Sequence, residues 1–329
     1  MSKLKIPFFR SIQHGTRFHV HKFRRSLFNK VSGAPLWTRQ PTSVQFDTTN
    51  RPCPIKCEFC NPQSCFIDEV GDLPLSTIEH TCKEMVKHKM FVEFAHPFIN
   101  TDPLVDKRMH KIYKILWDTL KCQVLTSTNG VLFSRRELLR SPYLTDVWFT
   151  ISAASSKLYR EVHGKPLFQQ AIKTLYWLKK NKFWNQRLGL RFILYERNIH
   201  ELPKWLKFFG GFQYEIRPLH YGGDRKASDK IKTPLNEIMK AHYLLQKQMF
   251  VDQKRPCNCF HNLSIGFDGS FMQCCDLPYK YNWGHVEEID LLETWHKRLD
   301  LGLDHPGCKG CNQVNPEWKT LFEDCVWNS

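Results

Sequence analysis

The sequence predicts an α/β fold: an incomplete (β/α)6 barrel of TIM type with a small α+β appendage at its C-terminal end. Three observations predict it. Six strand-like apolar runs alternate with amphipathic helical segments between Val44 and Pro218, the pattern of parallel βαβ units with right-handed crossovers. A tight cysteine group, Cys53-Pro54-Ile55-Lys56-Cys57-Glu58-Phe59-Cys60, follows the first run, where α/β folds place their active sites. A second cysteine group begins at Cys257, beyond the last barrel element.

Taken in order, residues 1–40 form a basic extension in which Phe8, Phe9, Phe18, Phe23 and Phe28 alternate with Lys and Arg. It either docks on the barrel, touches an acidic partner or is a mobile tail. The barrel is expected over 41–232. Its first strand begins near Ser43. Ser76-Thr77-Ile78-Glu79 reads as a capping box opening a helix to about Lys89, with Ile78, Cys82 and Met85 on one face, so Cys82 reads as core. Met90–Ala95 is expected as a strand, 104–120 as a helix, and Gln123–Ser127 as the third strand, running into Thr128-Asn129-Gly130. Strands follow at 146–152, 188–195 and 214–218, and helices at 168–181 and 200–208. Thr233-Pro234 opens a linking helix expected over 233–254. In the appendage, 255–329, the segment 263–275 reads as a β-hairpin turning at Asp268-Gly269, and 291–299 as a helix.

With 329 residues, the chain can bury a full core as one large domain plus the appendage. No apolar run approaches a membrane span, and the N-terminus lacks the unbroken apolar stretch of a secretory signal. Thirteen cysteines in two main groups argue for metal ligation in a reducing cytoplasm rather than a disulfide framework. The net charge is +16. Residues 1–45 hold nine Lys/Arg and no acid, whereas residues 255–329 hold eleven acids against six bases. The basic bulk suits nucleic acid, an acidic peptide or a phosphorylated substrate, or is simply a solvated surface.

Three thiolates at Cys53, Cys57 and Cys60 can hold an iron–sulfur cluster by three corners and leave one iron open. Soft thiolates select iron–sulfur, zinc or copper(I), and a vacancy suits a reactive cluster better than a structural zinc site. Spacing also allows the three to share a helix face as core cysteines, but Pro54, Lys56 and Glu58 fit a solvated loop better.

The Cys-x3-Cys-x2-Cys group with Phe59 before its last cysteine resembles the radical S-adenosylmethionine (SAM) superfamily. Thr128-Asn129-Gly130, Thr150-Ile151-Ser152-Ala153-Ala154, Tyr159-Arg160-Glu161-Val162-His163-Gly164 and Asn198-Ile199-His200-Glu201-Leu202 follow it in the family's order. The last two are similar to the family's Y-x-x-I-R-G and N-x-H-E-L. The resemblance covers about residues 41–220. It implies a [4Fe-4S] cluster on the three cysteines, SAM on its open iron, and reductive cleavage to a 5′-deoxyadenosyl radical that abstracts a substrate hydrogen. It implies Phe59 near the adenine, Ser152 and Asn129 near the ribose or carboxylate, and Arg217 near the carboxylate. Asn129 also reads as a turn residue, and Arg217 as half of a rim ion pair. The family's G-G-E-P after the second strand is replaced, at Phe94-Ala95-His96-Pro97, by His96 where Glu is expected, which reads either as a SAM contact accepting from its ammonium or as a polar turn residue. Ala154 stands where Asp is common. His220 and Tyr221 lie toward the expected substrate mouth.

The second cysteine group resembles the SPASM/twitch appendage of such enzymes, with an auxiliary [4Fe-4S] cluster expected on Cys257 or Cys259, Cys274, Cys308 and Cys311. A zinc ribbon on the same cysteines remains open on spacing alone. The resemblance therefore implies a peptide- or protein-modifying radical SAM enzyme, with dehydrogenation of a small polar molecule as an alternative. A reducing partner such as flavodoxin or ferredoxin is implied as electron donor. The reading from a different class is a nucleic-acid-binding protein with structural metal sites.

Overall fold

The structure, a computed structural model, describes residues 40–60, 70–218, 262–275 and 281–308. The linking helix, His220, Tyr221, Cys257, Cys259 and Cys311 lie outside the described residues.

Six parallel strands carry the barrel. They are β1 (Ser43–Phe46), β2 (Phe94–His96), β3 (Gln123–Thr128), β4 (Asp146–Thr150), β5 (Arg187–Leu194) and β6 (Gln213–Pro218). Each pairs in parallel with the next. Helices α1 (Leu75–Lys87), α2 (Met109–Leu120), α3 (Ser156–His163), α4 (Phe168–Asn181) and α5 (Leu202–Phe209) lie between them. The C-terminal segment adds β7 (Asn262–Ile265), β8 (Ser270–Met272), β9 (Asn282–His285) and α6 (Leu291–Leu301).

The sheet runs β6-β5-β4-β3-β2-β1-β7-β8-β9. β7 lies parallel to β1, so the C-terminal strands continue the barrel sheet past its first strand. Their seam is polar: the Ser43 hydroxyl donates to Asn262 Oδ1, and the Ser264 hydroxyl to Gln45 Oε1 at 3.4 Å. The expected turn forms at Asp268-Gly269, with Gly269 at φ +81° and Asp268 accepting from the Ser270 backbone and hydroxyl.

Alternation along the strands separates the two faces. Val124, Val147, Phe149, Leu190, Phe192, Leu194 and Ile216 are buried toward the helices with Ile78, Cys82, Met85, Ile112, Leu116, Leu175, Leu178, Trp205 and Phe209. Each such side chain contributes roughly 1.5–3 kcal/mol on burial. Cys82 is core, as its helical position predicted. The other face, holding Ser127, Trp148, Thr150, Arg191, Glu215 and Arg217, is the polar lumen.

Some boundaries differ from expectation. The capping box at Ser76 does not form: α1 starts at Leu75 after Pro74, with no side-chain cap, because Pro74 supplies the extended entry residue. Thr77 instead donates to Glu287 at 2.7 Å, fastening α1 to the C-terminal segment. The helix expected from Leu104 begins at Met109, after a short 3-10 turn over Pro103–Val105 capped by Asp102. β2 is confined to 94–96, since Lys89 at φ +55° ends the preceding turn and Met90 and Val92 are buried before the strand begins. Helix α3, unforeseen, is capped by the Ser155 hydroxyl, which accepts from Leu158 N–H.

Candidate active site at the C-terminal end of the barrel

Cys53, Cys57 and Cys60 lie on the loop leaving β1, at the strands' C-terminal end. Buried Ile55 anchors the loop, and the Cys60 N–H donates to the Cys57 carbonyl at 3.1 Å, curling it. Helix α3 supports it from one side. The Glu58 N–H donates to the Val162 carbonyl at 2.9 Å, and Gly164, at φ +74°, lies against the Lys56 carbonyl. Cys53 and Cys57 are half-buried, and Cys60 is exposed.

Burial and, next, the charge of Asp102 push the Cys53 thiol up to about 11. Burial also raises Cys57 well above the usual thiol range, with Cys60 and Cys53 adding to it. Thiols so placed resist ionising unless a cationic centre compensates them, as a bound metal does. Donors already face the sulfurs. Asn129 Nδ2 donates to Cys53 Sγ at 3.4 Å, with the backbone N–H groups of Ile55 and Asp102 also directed at it. His163 Nδ1 lies 3.2 Å from Cys57 Sγ. Soft, desolvated, hydrogen-bonded thiols are a donor set that fits an iron–sulfur cluster. Among the described residues, no three His, Cys, Asp or Glu side chains converge to hold a single metal ion.

Asp102 organises the neighbouring loops and was not singled out from the sequence. It accepts from Leu104 N–H (2.9 Å), Thr128 Oγ1 (2.8 Å) and Asn129 N–H (2.7 Å). Burial pushes its carboxyl up against the opposing pull of these donors. A signal existed, because Asp102 before Pro103 is an N-cap followed by proline at the first helical position.

The remaining expected residues divide between two places. Phe59 packs edge-on to His163 and Tyr195 at 5.2 and 6.1 Å. Asn129 touches Cys53, and its Oδ1 also accepts from Val131 N–H, the turn role weighed for it. Ser152 is buried just beyond β4. Its Oγ accepts from Ile193 N–H at 3.0 Å and its carbonyl from Asn198 Nδ2 at 3.0 Å. His96 faces the lumen, near Arg191 and Arg217. Burial, followed by Arg191 and Arg217, lowers it to about 3, keeping it neutral. Arg217 pairs with Glu215, the rim ion pair weighed for it, and Glu215 also holds Arg191 at 3.1 Å. Burial and Arg217 lower Arg191 to about 10. Arg191 donates to Ser127 Oγ at 3.2 Å.

Of the second cysteine group, Cys274 and Cys308 are described and half-buried. Both neighbour His305: its ring feels the charge of Cys274, and its carbonyl accepts from Cys308 N–H at 2.8 Å.

This barrel, with its cysteine loop after β1, shares its fold with solved structures that hold bound S-adenosylmethionine. Among solved structures, Streptococcus suis SuiB bound to the precursor peptide SuiA is similar, with TM-score 0.60 and 14% identity over 95% of this chain and 78% of that one. Native anSMEcpe with bound AdoMet gives TM-score 0.60 and 14% identity, covering 83% of this chain and 90% of that one. The anSMEcpe structure with bound AdoMet and Cp18Cys peptide gives TM-score 0.59 and 14% identity over 87% and 96%. At these identities the likeness shows the fold. No protein-family model matches the chain, and neither does any curated protein. Among the described residues, no helix is long and apolar enough to cross a membrane.

Proposed function

We propose that this chain is a radical SAM enzyme acting on a peptide or protein, with Cys53, Cys57 and Cys60 holding a [4Fe-4S] cluster. The observation that carries the reading is the placement of three thiols on one loop, at the C-terminal end of β1 of a radical SAM fold, with hydrogen-bond donors directed at two of the sulfurs. When bound, cluster and SAM supply a 5′-deoxyadenosyl radical that takes a hydrogen from the substrate.

The chain's residues bind and orient. Phe59 offers an apolar wall for the adenine. Asn129 and Ser152 offer polar groups for the ribose or carboxylate, and Arg217 a cation for the carboxylate. His96, which stands where the family has Glu, is assigned to the SAM amino group, with the Asp102 carboxylate as a second candidate. Its three donors hold the carboxylate in one orientation. A peptide substrate is supported by the similar structures that hold bound peptides, SuiB with SuiA and anSMEcpe with Cp18Cys. An auxiliary [4Fe-4S] cluster is assigned to Cys274 and Cys308 with Cys257 or Cys259 and Cys311. A fully ligated cluster there would pass an electron to or from the substrate or shape its pocket. Flavodoxin or ferredoxin is the class of donor proposed.

The test is anaerobic purification with iron and sulfide analysis, then incubation with SAM and dithionite. Two clusters predict about eight irons per chain, and release of 5′-deoxyadenosine. Cys57→Ala should abolish the release, while Cys308→Ala should leave uncoupled cleavage. Zinc in place of iron, or no 5′-deoxyadenosine from iron-loaded protein, refutes the reading.

A further inference from the structure

His163 closes α3 and is fully buried between the cysteine loop and the end of β4. The Ser152 backbone N–H donates to its Nε2 at 3.0 Å. A backbone N–H can only donate, so Nε2 carries no proton, and the neutral ring keeps its proton on Nδ1. Nδ1 lies 3.2 Å from Cys57 Sγ. The hydrogen bond therefore runs from ring to sulfur, whatever the state of the sulfur.

The ring is also held against rotation. Tyr159 stacks on it with centroids 4.1 Å apart and planes 19° apart, and Phe59 meets its edge at 5.2 Å. Flipping the imidazole would break the Ser152 bond. The motif that His163 belongs to resembles Y-x-x-I-R-G, in which this position is Arg. Here the cation is replaced by a neutral donor of fixed direction.

We propose that His163 is a positioning residue that raises the reduction potential of the cluster on Cys53, Cys57 and Cys60 by donating a hydrogen bond to the Cys57 sulfur. The inference rests on the proposed function. Reduction places one more negative charge on cluster and sulfurs, and a donor to sulfur stabilises that charge. One electron enters from a low-potential one-electron donor, which is oxidised in turn. His163 keeps its proton throughout.

The experiment is an anaerobic redox titration of the full iron-loaded chain, following by electron paramagnetic resonance the signal that SAM perturbs. His163→Leu removes the donor. His163→Asn places an amide N–H near the Nδ1 position. The Leu variant should show about a tenfold lower ratio of reduced to oxidised cluster at the wild-type midpoint, a shift of about 59 mV for one electron. The Asn variant should return most of it. Wild-type protein labelled with 15N-histidine should show nitrogen coupling to the SAM-responsive cluster, a readout that stands even if the variants fail to hold iron. An unshifted Leu titration, equal shifts in both variants, or no histidine coupling in the wild type would each overturn the inference alone. A wild-type protein with no SAM-responsive cluster would overturn the proposed function as well.

Discussion

A β-carbon placed on Gly164 would stand 2.3 Å from the carbonyl oxygen of Lys56. The end of α3 and the cysteine loop are therefore in direct backbone contact, and the loop takes its shape from a helix more than a hundred residues away in sequence.

Gly164→Ala should lower iron incorporation and thermal stability together. The obstacle is backbone rather than a flexible side chain, and φ of +74° adds strain for any other residue. We expect a loss of about 1–3 kcal/mol. Gly211→Ala is the control, since nothing lies within 4 Å of its added carbon. Equal iron content and melting temperature in both variants would contradict the contact.

Asp102→Asn should disorder the loops after β2 and β3. An amide turns one acceptor oxygen into a donor that faces Leu104 N–H, Thr128 Oγ1 or Asn129 N–H, all of which donate in the native arrangement. A buried donor left unmatched costs roughly 1–3 kcal/mol. Calorimetry should show the loss, and SAM should no longer perturb the cluster's spectrum. Native SAM binding in this variant would remove Asp102 from the site.

His96 predicts a pH dependence of stability. Its folded value, about 3, lies below its unfolded value of about 6.5. Between these values the unfolded chain binds a proton that the folded chain does not, so stability rises with pH through the window and is complete above about 6.5. Urea melts between about pH 4 and pH 6.5 should show a shallower rise for His96→Gln than for the native chain. Identical slopes would mean that His96 is solvated.

Asn198→Asp should be more damaging than Asn198→Ala. The Asn198 amide donates to the carbonyls of Ser152 and Ile193, at 3.0 and 2.7 Å, while its Oδ1 accepts from Tyr195 N–H. Aspartate would set a carboxylate against two carbonyls in a buried turn, costing several kcal/mol. Chemical denaturation of the two variants provides the comparison, and the reverse order would refute the bonding pattern.

The strand and helix sequence was legible because both periodicities are strong locally. The alternation in Gln123–Thr128 and the apolar stripe of Phe168–Asn181 each follow from their own residues. The helix at Ser156–His163 was missed because its eight residues are too few for a firm period, although Ser155 is a good cap. Asp290, which caps α6 by accepting from Glu293 N–H, carried the same kind of signal. His96, which stands where the resembled family has Glu, lies in the lumen beside Arg191 and Arg217, a neighbourhood assembled from three strands and so not written in its local sequence.

By itself, the sequence determined the parallel α/β architecture, the loop of three cysteines and the core identity of Cys82, since each depends on neighbours only a few positions away. Tertiary structure decided that β7 continues the sheet beside β1, that Asp102 meets Thr128 and Asn129, and that His163 meets Cys57. Those pairings join segments separated by dozens to hundreds of residues. Directional hydrogen bonds in a desolvated interior are satisfied only once packing has brought both partners into place, and no local pattern records which partner that is.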